Sequence, residues 1–267
     1  MKSVSAPSRR HFLVGAAAGV GSLLLPSLAS AAPRDRRMDV AILNFALHLE
    51  YLDSEYYSIA TSGKGLAEFG VGVDGVGELG ETTGGAAVRF DAPELEAMAR
   101  QIAADERAQV ALIRETIRKL GGRPIAKPAL DLSAARAMGI DPTTQEGFLL
   151  ATRAFEETAI SAYGGTAAFL ATPSVIRDSA RIMAVEALHA GAVRRELIRR
   201  KIMAPNLDEK DIPPAPDEAR FFPVVQGLTP TRTPAEVLRL VTAGNGLRGG
   251  FFPKGPNGDV RPLLAIR

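Results

Sequence analysis

The sequence predicts an all-α protein: an up-down four-helix bundle followed by a loop-rich C-terminal extension. Three observations carry this. Four long segments repeat their apolar residues at helical spacing. Capping and stop signals bracket those segments. After Ala204 the composition shifts to Pro, Gly and Phe. A chain of 267 residues has ample material for a core of this kind.

The first segment of the chain reads as a leader rather than as fold. Ser8-Arg9-Arg10-His11-Phe12-Leu13 is a twin-arginine signature, followed by a glycine-broken apolar run from Leu13 to Leu25 and by Ala29-Ser30-Ala31, a small-x-small cleavage site. The run is too short and too glycine-rich for a good membrane span. Residues 1–31 are therefore expected to be a twin-arginine signal, which sends a folded protein to the periplasm or out of the cell. Removing it takes away Lys2, Arg9 and Arg10 and no acidic residue, so 32 basic residues become 29 against 30 acidic ones, and the net charge moves from +2 to −1. The basic pI belongs largely to the precursor, and it gives no reason to expect a nucleic-acid or acidic-lipid partner. An exported chain is allowed disulfides, yet there is no Cys. Packing alone must hold the fold, and thiolate metal sites and Cys nucleophiles are excluded.

The bundle is expected over residues 36–203. Asp35 caps a first helix from about Arg36 to Ala60, with Val40, Leu43, Leu47, Glu50, Ser54 and Tyr57 in one stripe. Asp53 and Glu55 are expected on its surface. The glycine-rich stretch from Gly63 to Gly85 reads as a surface loop. Asp91-Ala-Pro-Glu94 is a capping box that opens a second helix. Its stripe is Leu95, Ala99, Ile102, Glu106, Gln109/Val110, Ile113 and Ile117, and Gly121-Gly122 stops it. Thr143 with Glu146 suggests a third helix from about 144 to 170, with Leu149, Thr152, Glu156, Ile160 and Tyr163 on one face. Gly164-Gly165 weakens its end. Thr172-Pro173 opens a fourth helix to about Met203, along which Ile182, Met183, Glu186, His189, Val193 and Leu197 line up. In the extension, residues 204–267, Thr233-Pro-Ala-Glu236 caps a short helix from Pro234 to Val241. The rest reads as ordered loop packing back on the bundle.

Each of the four helices thus places one glutamate in a stripe that should be apolar: Glu50, Glu106, Glu156 and Glu186. A lone helical Glu is usually solvated, but four in register are harder to dismiss. Glu186 is followed one turn later by His189, and Glu106 by Gln109. Carboxylate bundles that bind two metal ions use one Glu from each of two helices and Glu-x-x-His from each of the other two. This chain matches in five of six positions. Glu50, Glu106, Gln109, Glu156, Glu186 and His189 are the candidate metal ligands. Glu157 competes with Glu156 for the inward position, and Glu156 is chosen because it aligns with Leu149, Thr152 and Tyr163. The donor set suits Fe in a di-metal centre, or Mn or Zn. Gln109 stands where a second His belongs, and an amide carbonyl is a poor iron ligand beside imidazole. His48, the other histidine of the mature chain, lies well round the helix from Glu50.

Several long motifs resemble one family. Ile42-Leu-Asn-Phe-Ala-Leu-His-Leu-Glu-Tyr-Leu-Asp-Ser-Glu-Tyr-Tyr57, Phe155-Glu-Glu-Thr-Ala-Ile-Ser-Ala-Tyr-Gly-Gly165, Val185-Glu-Ala-Leu-His-Ala190 and Gly250-Phe-Phe-Pro-Lys-Gly-Pro-Asn-Gly258 are similar to stretches of the ferritin-like, desiccation-related proteins of plants and bacteria. The resemblance spans roughly residues 40 to 260. It implies a ferritin-like bundle and Glu50, Glu106, Glu156, Glu186 and His189 as ligands; the family usually has His at the position of Gln109. Two functions are expected to compete. One is a metal-binding, redox-active protein with oxygen or peroxide as oxidant. The other is a non-catalytic desiccation or stress protectant that keeps the fold without a working di-metal site. A ferritin-type iron-storing cage is the weakest reading. Metal ions are the expected partners, with no nucleic acid and no membrane span once the leader is removed; a homo-oligomer is left open.

Overall fold

The computed structural model describes residues 35–244 and 246–266, so the leader expected over 1–31 lies outside the described residues. Five α-helices appear: α1 Arg36–Ser62, α2 Pro93–Lys119, α3 Gln145–Thr166, α4 Pro173–Arg200 and α5 Pro234–Val241. The first four form the bundle. No helix of the described residues is long and apolar enough to cross a membrane.

The helix ends follow the sequence with two informative exceptions. Asp35 accepts from the Met38 N–H and caps α1, and Gly63 ends it in the left-handed region at φ 73°. Pro173 opens α4, where its missing N–H costs nothing. The box expected at Asp91 is not made, and Ala92 is the cap residue. The Asp91 carboxylate instead accepts two hydrogen bonds from Arg200 at the end of α4, at 2.7 and 2.9 Å. A bidentate, charge-assisted contact outcompetes a single cap bond. At α3 the cap is Thr144, accepting from the Gly147 N–H. Thr143 is engaged elsewhere, donating to Asp141 at 2.8 Å.

Cross-helix pairs fix the directions. Tyr51 and Ser58 of α1 meet Arg114 and Arg107 of α2, so those helices are antiparallel. Glu50 and Tyr57 of α1 meet Tyr163 and Glu156 of α3, so α1 is also antiparallel to α3. Arg200 and His189 of α4 meet Asp91 and Asp105, just before and within α2, so those two helices are antiparallel as well. The bundle therefore runs up, down, down, up rather than in the simple up-down order expected, because a long crossover joins α2 to a parallel α3. Residues 120–144 supply it. Within it β2, Leu130–Asp131, pairs in parallel with β1, Thr82–Thr83, of the α1–α2 link, so the two connections brace each other.

α2 and α4 bury one face each, but α1 and α3 are buried nearly all round. The crossover and the C-terminal extension cover their outer sides. Asp53 and Glu55, expected at the surface, are for this reason each only 3% exposed. Glu55 sits 3.8 Å from Lys127 of the crossover and accepts from the Leu66 N–H. Asp53 stays close to the bundle's other carboxylates. The extension is clasped to α3 and α4 by two fully buried arginines. Arg153 donates to Pro205 O and Asp211, and Arg194 to Ile212 O, Phe221 O and Glu157. Glu157 lies between the two guanidiniums, which settles its register: it faces the extension. Gly165 is required where the extension crosses α3, since a Cβ there would collide with the Arg232 carbonyl. Near the end of the tail motif stands Asn257, whose side-chain amide donates to Glu78 O and Ala126 O and whose backbone carbonyl accepts from His48 Nε2–H at 3.0 Å.

Candidate metal centre

The apolar stripes pack as the spacing predicts. Leu47, Ala99, Leu149 and Val193 are all essentially inaccessible. Burying those stripes carries the in-register glutamates into the bundle interior: Glu106 and Glu156 are fully buried, Glu186 is 1% and Glu50 3% exposed. Glu106, Glu156, Glu186 and His189 each bring one ligand atom to within 4.8 Å of the others. His189 Nδ1 lies 3.5 Å from Glu106 Oε1 and 3.4 Å from Glu156 Oε2.

The surrounding hydrogen bonds hold these groups while leaving oxygens free. The Tyr57 hydroxyl donates to Glu156 Oε1 at 2.8 Å, and the Tyr163 hydroxyl to Glu50 Oε1 at 2.5 Å. On the outer side His189 Nε2 lies 3.2 Å from Asp105 Oδ2. An Nε2–H tautomer donating to Asp105 turns the Nδ1 lone pair toward the carboxylates, the arrangement by which metal-binding histidines are oriented. Asp105 and the two tyrosine hydroxyls went unassigned at the level of sequence. Asp105 could have been noticed, because it flanks Glu106 on the edge of the same stripe.

The electrostatics of the group favour a cation. Burial pushes the Glu50, Glu156 and Glu186 carboxyls well above their ordinary range, and the charge of Glu106 adds to it. Burial raises Glu106 as well, against the opposing pull of His189. For His189 burial works to lower the value, but the Glu106 carboxylate beside the ring, with the charge of Glu186, outweighs it and the net shift is upward. Asp53 joins the group, raised by burial and then by Glu106, Glu186 and Glu50. Among the described residues no Lys or Arg forms an ion pair with any of the four glutamates. Both oxygens of Glu106 and of Glu186, one oxygen each of Glu50 and Glu156, His189 Nδ1 and both amide atoms of Gln109 are buried without a hydrogen-bond partner. Orphaned acceptors converging on one point are costly in a protein interior. A cation fits them, and oxygen and imidazole donors match Fe, Mn or Zn.

The six sequence candidates are not equivalent here. Glu106, Glu156, Glu186 and His189 converge. Glu50 is adjacent but tied by one oxygen to Tyr163, and Gln109 lies one turn beyond Glu106 at the wall of the bundle. His48 is turned away toward Asn257. A groove of about 500 Å³ opens between α2 and α4 and reaches His189 and Gln109. None of the three converging glutamates lines it; His189 and Gln109 are the two candidates that do.

Residues 38–199, which hold every one of these groups, match the family model described as the ferritin-like domain. No curated protein matches the chain. The matched stretch covers well over half of the sequence and takes in the whole four-helix bundle with its buried carboxylate–histidine group, and on that ground the chain belongs to the ferritin-like domain family.

Proposed function

We propose that the protein is an exported ferritin-like metal-binding protein that holds iron, or alternatively manganese or zinc, among Glu106, Glu156, Glu186 and His189. The observation that carries this is the convergence of four buried ligand atoms within 4.8 Å, most of them without any other partner. Glu106, Glu156, Glu186 and His189 would hold the more tightly bound ion. A second ion near Glu50 and Gln109 would be held more weakly, because an amide oxygen replaces an imidazole there. Occupancy is expected closer to one ion per chain than to two. A bound iron ion would supply one-electron exchange and Lewis acidity, in support of a redox or stress role. The chain's own part is to keep the ligands dry, to orient His189 through Asp105, and to hold Glu50 and Glu156 through the tyrosine hydroxyls. Export by the twin-arginine route belongs to the same proposal and rests on Ser8-Arg9-Arg10 and Ala29-Ser30-Ala31.

A second reading has one specific observation in its favour. Gln109 removes one imidazole from the di-metal set, which suits a desiccation or stress protectant that keeps the bundle and holds its glutamates protonated. Thermal unfolding with and without Fe²⁺, Mn²⁺ or Zn²⁺ separates the two. Binding only to the folded state raises stability by about 2.7 kcal/mol at a hundredfold excess over Kd. Glu186→Ala and His189→Ala should abolish that gain. If wild type melts identically with and without each metal, the protectant reading stands and the metal reading falls.

A further inference from the structure

Gln109 has a property that metal binding does not absorb. It is 6% exposed, and both Oε1 and Nε2 lack a hydrogen-bond partner. A metal ion can take only the oxygen. The Nε2 donor then stays buried and unpaired, at a cost larger than a typical hydrogen bond is worth. A ligand entering from outside the bundle can supply the acceptor.

The groove between α2 and α4 is where that acceptor can enter. Gln109 and His189 line its inner end, and Leu112, Ile182, Val185 and Leu188 form much of its wall. Leu188 is 72% and Leu112 42% exposed. About 500 Å³ is the size of a small-molecule site, and its wall mixes this apolar strip with polar groups, Asp178 and Gln101 among them. Arg181 and Asp105 stand among its polar residues.

We propose that this groove binds a small neutral organic molecule with an apolar body and a primary carboxamide head, and that Gln109 reads the head. The chemistry follows from the orphaned pair. A primary amide offers one acceptor and one donor side by side, and so does Gln109. Two reciprocal hydrogen bonds satisfy both atoms at once, Gln109 Nε2–H donating to the ligand's carbonyl oxygen and the ligand's N–H donating to Oε1, while the ring or alkyl body covers Leu112 and Leu188. A carboxylate head is disfavoured in the metal-free protein by the buried glutamates behind Gln109. The inference deepens the metal reading, and rests on it for placing the bound molecule beside a working centre. With metal present, Oε1 is free to turn to the ion while Nε2 keeps the carbonyl.

The test uses benzamide as probe on the full-length mature chain, once metal-free and once zinc-loaded. The readouts are the Gln109 side-chain amide resonances and the Leu112 and Leu188 methyl resonances by NMR. Saturable shifts in all three are expected, with affinity about tenfold or more weaker in Gln109→Leu, the loss expected for a buried hydrogen-bonded pair. Val185→Trp, which fills the groove from its outer wall and leaves Gln109 in place, should remove the response. Equal affinity for benzene, or an unchanged affinity in Gln109→Leu, would overturn the assigned role of Gln109. The absence of saturable shifts in both metal states would mean that the groove holds water only, and would overturn the inference while leaving metal binding intact. Conversely, a protein that takes up no zinc yet binds benzamide loses the metal reading alone.

Discussion

His48 gives a pH dependence whose size can be worked out in advance. The ring is fully buried under the tail motif, edge-on to Phe252 at 6.1 Å, and its Nε2–H donates to Asn257 O. Burial pushes its pKa down from 6.5 to about 4, only partly opposed by the backbone hydrogen bond to Asn257. A histidine depressed in the folded state binds its proton more readily when unfolded. Its contribution to stability is therefore complete above pH 6.5 and is lost as the pH falls toward 4. The full span corresponds to about 3 kcal/mol, and between pH 7.5 and pH 5 roughly 2 kcal/mol of it should disappear. The buried glutamates, whose pKa values are raised, work in the opposite sense, so the wild-type curve alone does not isolate the histidine. Comparison with His48→Gln does, because Gln keeps a donor for Asn257 O and cannot titrate. Urea unfolding of chelator-treated protein at the two pH values should show wild type losing roughly 2 kcal/mol more than His48→Gln. Equal losses in the two proteins would show that His48 titrates normally and that the tail does not seal it.

Other consequences are equally specific. Ile102, 2% exposed in the same stripe as Glu106, should cost about 2–5 kcal/mol when cut to Ala, read from the shift in denaturation midpoint; a negligible change would mean that the stripe is not the core. Glu157→Ala leaves the buried Arg194 without a carboxylate and Arg153 with Asp211 alone, and should destabilise by about 3–5 kcal/mol. It should nevertheless leave the metal-induced rise in Tm intact, and loss of that rise would make Glu157 part of the centre. Replacing Arg9 and Arg10 by Lys should leave the precursor in the cytoplasm, as judged by fractionation; mature protein in the periplasm would refute twin-arginine routing.

The bundle and its inward glutamates were legible because two independent signals agree along the chain. Each stripe has the 3.6-residue period, and in each a glutamate takes a position that Leu would fill, so Glu50, Glu106, Glu156 and Glu186 stand out against Leu47, Ile102, Leu149 and Ile182. The errors have a common physical cause, competition from distant partners. Asp91 has the right spacing for a cap, but Arg200, more than a hundred residues away, binds its carboxylate. Asp53 and Glu55 look solvated from periodicity alone because nothing local shows that the crossover and the extension will cover α1. A hint was present: Ile42, Phe45, Leu49 and Leu52 lie outside the chosen stripe and are apolar too, which marks a helix buried on several sides. The pairings of Arg153 and Arg194 with the extension could not be read from the chain, since both arginines fit equally well on a solvated face.

The account turns on whether an ion sits where the four buried ligands converge. The most direct measurement is anomalous X-ray scattering from crystals of the mature protein loaded with Zn²⁺ or Fe²⁺, recorded at the metal's absorption edge. A peak is predicted within coordination distance of Glu106, Glu156, Glu186 and His189, with a weaker peak or none between Glu50 and Gln109, and neither peak in Glu186→Ala. An empty map at that position under saturating metal, with the glutamate side chains in hydrogen bonds to one another or to water, would contradict the claim.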